Sequence, residues 1–104
     1  MNELIAKIEE TVSVLLQYDM EQYAKLAQEL VNMMMTMLPA IIDCYNNPLM
    51  SEVREDATYW PAQMQRIIDS LGGGDYFEVV DVLFNETRPN LMELRENLVQ
   101  KGLL

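Results

Sequence analysis

Few side chains in this chain could do covalent or metal chemistry, and their spacing argues against most of it. There is no His, so no imidazole is available as a metal ligand, haem ligand, phosphorelay acceptor or general acid–base. A carboxylate-bridged metal pair in a helical bundle needs inward Glu residues and normally Glu-x-x-His pairs. Glu9, Glu10, Glu52, Glu55 and Asp56 all fall off the apolar faces that would point inward. Cys44 is the one thiol. Its predicted place near a helix C-terminus raises rather than lowers a thiol pKa, which suits a packed side chain and not a nucleophile. Asp69-Ser70-Leu71 could carry a phosphopantetheine arm, as in acyl carrier proteins, only if Ser70 opened a helix, where free N–H groups receive phosphate. Gly72, Gly73 and Gly74 place Ser70 at a helix end instead, where the dipole repels an anion. Asn85-Glu86-Thr87 matches a glycosylation sequon but lies inside a predicted helix. No catalytic residue, cofactor or metal site is expected.

Charge narrows the partners. Seven Lys and Arg stand against 17 Asp and Glu, a formal charge of −10 over 104 residues. The basic residues, Lys7, Lys25, Arg54, Arg66, Arg88, Arg95 and Lys101, are scattered. Binding to phosphate backbones needs them clustered, so neither nucleic acid nor an anionic membrane surface is expected. The opening MNELIAKIEE has neither a basic start nor a long apolar run, so no signal peptide is expected. The most apolar stretch, residues 30–42, is interrupted by Asn32, Thr36 and Pro39 and is too short to span a bilayer. A lone Cys fits a reducing compartment, so a cytoplasmic location is expected.

The elements that must position these residues are helices. Apolar residues recur at three- and four-residue spacing almost throughout, and no stretch alternates with period two. Ile5, Ile8, Val12 and Leu15 stripe a first helix over residues 2–17. Asp19 with Gln22 then reads as a capping box. The second helix carries Tyr23, Ala27, Leu30, Met34, Met37, Ile41 and Cys44 on one face. Asn47-Pro48 signals a restart, and Val53, Ala57, Trp60, Met64, Ile67 and Leu71 stripe a third helix that the three glycines end. Asp75 with Glu78 repeats the capping box. Phe77, Val80, Phe84, Leu91, Leu94 and Leu98 form the inward face of a fourth helix. The apolar phase is the same on both sides of Pro39, Pro61 and Pro89, which predicts kinks rather than breaks. The expected fold is a single all-α domain, an antiparallel up-down-up-down four-helix bundle with proline-kinked helices.

The string Gly74-Asp75-Tyr76, followed by Asp81, Leu83, Glu86, Pro89 and Leu91, resembles a signature of small acidic all-helical proteins of unknown function from Firmicutes. The resemblance implies a helical bacterial cytoplasmic protein and supplies no activity. It singles out Tyr76, Asp81, Glu86 and Pro89, for which aromatic packing, solvated carboxylates and a helix kink are the plain structural roles.

Two apolar features exceed what a bundle core needs. Met33 and Met35 project to either side of Met34, about 100° away on a helix, and Met offers an adaptable surface to a partner. With Phe77, Val80 and Phe84 inward, Val79 and Val82 should point outward beside Tyr76 and Leu83 and form a dimer interface. The leading expectation is therefore a non-enzymatic helical interaction module. It would self-associate as a homodimer or take another protein with an apolar, basic-flanked surface. The alternative is a binder of a small apolar ligand or peptide among Met37, Trp60 and Met64, near the proline kinks.

Overall fold

A computed structural model describes residues 1–50 and 58–103. Every regular element among these residues is helical. Helix α1 spans Asn2–Leu16, α2 spans Met20–Cys44 and α3 spans Tyr59–Gly72. The C-terminal helix begins as α4 (Tyr76–Val80), widens into a π-helical segment (Asp81–Thr87) and continues without interruption as α5 (Arg88–Gln100). Helix α1 packs on α2 and on the C-terminal helix, and α3 packs on α2 and on the C-terminal helix. The four helices lie as an up-down-up-down bundle measuring 43 × 21 × 21 Å.

The stripes read from the sequence account for most of the core. Leu4, Ile5, Ile8, Val12 and Leu15 bury one face of α1. Tyr23, Leu26, Leu30, Met34 and Ile41 bury one face of α2, with Ala27, Met37 and Cys44 half-buried at its margin. Trp60, Met64 and Ile67 supply α3. Both Asp caps form: Asp19 accepts from the Gln22 N–H at 3.2 Å, and Asp75 accepts from Phe77 and Glu78 at 3.1 and 3.3 Å. Each satisfies amide donors that a first turn otherwise leaves open.

The prolines behave in three ways. Helix α2 runs through Pro39 with its register intact, since Met34 and Ile41 are both buried. Pro39 is exposed, so the carbonyl it deprives of a donor is left to solvent. Pro61 sits in the first turn of α3, where no helical partner is lost. The third helix was expected to start at Pro48. Residues Pro48–Met50 form only a single 3₁₀ turn, opened by a bond from the Leu49 N–H to Asn47. Val53 and Ala57 of that expected stripe lie outside the described residues.

Pro89 is where the sequence reading fails. The turn before it is π-helical, with the Arg88 N–H reaching back five residues to the Leu83 carbonyl. A prolyl ring crowds the carbonyl four residues earlier, and a widened turn ending beside it relieves that crowding. One extra residue in a turn rotates everything upstream by about 100° relative to an unbroken α-helix. Phe77, Val80 and Phe84 then leave the line of Leu91, Leu94 and Leu98. Val79, Leu83 and Thr87 replace them.

Candidate functional site

The π-helical segment is held from α3. Gln63, buried, donates through Nε2 to Thr87 Oγ1 at 2.8 Å, and Thr87 donates in turn to the Val82 carbonyl at 2.8 Å. One turn along α3, the Arg66 guanidinium grips Glu86 with two bonds of 2.8 Å, the geometry in which Arg and carboxylate match best. Those bonds hold the Glu86 carboxyl below the ordinary glutamate value and push Arg66 up. Neither clamp was legible from spacing, because both join residues from different helices.

The rotation reverses the expected interface. Val79 is 1% exposed, and Val82 and Leu83 are 0% exposed. All three belong to the core and cannot form an outward dimer face in this structure. The residues assigned to the core trade places with them: Phe77 is 90% exposed, Phe84 is exposed and Val80 is half-buried. Of the other expected surface residues, Tyr76 and Met35 are exposed and Met33 is half-buried. Tyr76 meets Tyr23 edge to face, with ring centres 5.9 Å apart. Met35 lies twelve residues beyond Tyr23 on α2, about 18 Å along the axis, so Met35 and Tyr76 do not form one patch. At the expected ligand site, Trp60 and Met64 are buried in the core and Met37 is half-buried against it. The Trp60 indole N–H donates to the Tyr45 hydroxyl at 2.6 Å. These residues form packed core, not an open pocket.

One apolar surface among the described residues does not follow from the helical stripes. It lies at the end of the bundle where α1 hands over to α2 and where α4 begins. Leu15, Leu16, Tyr18, Met20, Tyr76, Phe77 and Val80 line a pocket of about 140 Å³. A second, wider depression adjoins it across Leu16, Phe77 and Val80 and adds Asp75, Glu78, Asp81 and Asn85. Leu16 and Tyr18, like Phe77, stand mostly in solvent.

Tyr18 is there at a conformational cost. The Tyr18 N–H bonds to the Leu15 carbonyl and the Asp19 N–H to the Val14 carbonyl. This is the paired closure that normally needs Gly in the left-handed conformation. The end of α5 makes the same closure with Gly102, at φ 73°. At the end of α1 the position is filled by Tyr18, at φ 59°. An aromatic residue in that region is strained, and strain of this kind persists only where the surrounding structure holds it in place.

The other residues of the Gly74-Asp75-Tyr76 string have local partners. Asp81 accepts from Asn85 at 2.9 Å, Glu86 pairs with Arg66, and Pro89 follows the π-helical segment. Cys44 is half-buried, its thiol directed to the Ala40 carbonyl at 3.3 Å, and burial pushes its pKa up. Among the described residues no group of three or more carboxylates and thiols gathers as metal ligands, and no helix is long and apolar enough to cross a membrane. Compared with protein-family models, curated proteins and solved structures, the chain matches none.

Proposed function

We propose that this chain is a non-enzymatic helical protein-interaction module that works by presenting the apolar end of its bundle. The observation that carries the reading is the cluster of Leu16, Tyr18, Tyr76 and Phe77, all exposed, around one apolar pocket. Large side chains that could be buried but are gathered at one surface mark an interaction site, and aromatic anchors dominate such sites energetically. The formal charge of −10 makes protein a better partner than nucleic acid. A free, half-buried Cys44 is in keeping with a reducing, cytoplasmic setting. The apolar pocket holds about 140 Å³, and the depression of about 560 Å³ beside it lies open to solvent. A shallow, open surface of this kind suits a protein partner better than a small molecule, which binds where most of its surface is enclosed.

Site-specific photo-crosslinking in the native cytoplasm tests this. A photoreactive residue at position 77 should yield discrete protein adducts, and one at position 35 on the α2 surface should not. An adduct of twice the chain's mass would identify a second copy as the occupant. No adduct at position 77, or equal labelling at both positions, would sink the reading.

A further inference from the structure

The surface at the α1–α2 turn is apolar in the middle and acidic on one side. Asp75, Glu78 and Asp81 line the depression that adjoins Leu16, Phe77 and Val80, and no Lys or Arg lines either of the two cavities. Arg66 lies near enough to Glu78 and Asp81 to interact with them, but both of its bonds go to Glu86. The rim is therefore net negative beside an apolar floor.

That charge pattern discriminates between occupants. A second copy related by a two-fold axis brings the same surface face to face with itself. Neither side of such a pairing supplies a Lys or Arg from this surface, so Asp75, Glu78 and Asp81 of both chains would be brought together without a cationic counterpart, which opposes docking. A partner carrying Lys or Arg beside an apolar anchor meets attraction at every rim position. The partner's backbone is constrained as well. The described part of the bundle has no strand edge to pair with, so a helix, which pairs its own N–H and C=O groups, is the segment that lays a continuous apolar face on this floor without asking for backbone partners.

Resting on the interaction reading above, we infer that the occupant is an amphipathic helix of another protein, with a large apolar anchor seated among Leu16, Tyr18 and Phe77 and with Lys or Arg flanking it against Glu78 and Asp81. Tyr18 fits this role, because its strained backbone holds an aromatic ring over the pocket where Gly would close the helix more cheaply.

Two synthetic helical peptides with the same Leu/Phe face, one flanked by Lys and one by Glu, test the inference by NMR titration against the full chain. The Lys-flanked peptide should shift the resonances of Leu16, Met20, Phe77 and Val80 and bind roughly tenfold tighter or better than its Glu-flanked twin. Glu78→Gln with Asp81→Asn should remove most of that preference. Tyr18→Gly, which relieves backbone strain and so keeps the fold, should weaken binding of both peptides. Equal affinity of the two peptides, or no binding by either, overturns the inference. So does a dimer detected by light scattering whose formation shifts the same four resonances. If position 77 crosslinks to protein while the peptides show no charge preference, the occupant is wrong and the module reading stands. If neither experiment gives a signal, both fall.

Discussion

Tyr23 carries a hydroxyl that burial strips of water and to which no described group hydrogen-bonds. A stranded polar atom of this kind costs about 1–3 kcal/mol. Tyr23→Phe keeps the ring and its edge contact with Tyr76 while deleting the orphan oxygen. The variant should be more stable by about 1 kcal/mol, read as a higher urea midpoint at an unchanged slope. Burial, and then the neighbouring Tyr76, raise the Tyr23 pKa above its ordinary 10.0. As pH climbs past 10.0 the unfolded chain releases this proton first, so the unfolded state holds fewer protons and stability falls with pH. Tyr23→Phe should flatten that alkaline limb. A variant that loses stability at neutral pH would show that the hydroxyl has a partner after all. That Tyr23 is core was legible from its place in the α2 stripe. That its oxygen has no partner was not, because that depends on what α3 and α4 bring beside it. Tyr18 was invisible for a related reason: nothing in its neighbours announces the left-handed backbone.

The C-terminal helix shows why periodicity can be right about an element and wrong about its face. Its first half carries two interleaved apolar sets, Phe77, Val80 and Phe84 on one side and Val79, Val82 and Leu83 on the other. An unbroken α-helix aligns the first set with Leu91, and one widened turn aligns the second. The choice falls to Gln63 and Arg66 on α3, which hold Thr87 and Glu86 in the widened register. Deleting Asn85 removes the extra residue and should return the helix to α geometry. In a Cys44→Ala background, a cysteine at position 77 should react with a thiol reagent about tenfold faster than one at position 79, the ratio that a local opening cost of 1.4 kcal/mol produces. The deletion should invert that order, and an unchanged order would refute the account of the phase. The same comparison marks how far the sequence could be read. Helices α1 and α2, both Asp caps, the glycine stop after α3 and the Leu91–Leu94–Leu98 face follow from local signals. The end-of-bundle surface does not, because it is a by-product of a register chosen by contacts between helices.

At the scale of the whole molecule, 17 acidic groups face seven basic ones, and the ion pairs Lys7–Glu29, Arg66–Glu86 and Arg88–Glu9 neutralise only part of the excess. Self-repulsion of a compact acidic chain weakens when salt shortens the range of its field. Raising NaCl from about 0.01 M to 0.3 M shortens the screening length from about 30 Å to under 10 Å. It should lift Tm by roughly 2–6 °C, the shift that 0.5–1 kcal/mol gives for a domain near this size. A Tm that falls with salt would mean that the surface ion pairs outweigh the repulsion. The same salt should loosen a basic partner, so fold and complex would respond with opposite signs. The antiparallel arrangement has a further consequence for how the chain can be joined to other things. Arg95 hydrogen-bonds Asn2 at 2.8 Å, and Met1, Asn2 and Val99 line one depression with it, so the first turn of α1 and the last turn of α5 sit side by side, and α1 separates them from the Leu16–Phe77 end by about 22 Å. A fluorophore, a surface tether or a neighbouring domain attached at either end leaves from the far side. The bundle then acts as a short stalk that carries its contact face outward, and the two ends are close enough to be spliced into a loop of a carrier protein without spreading that loop.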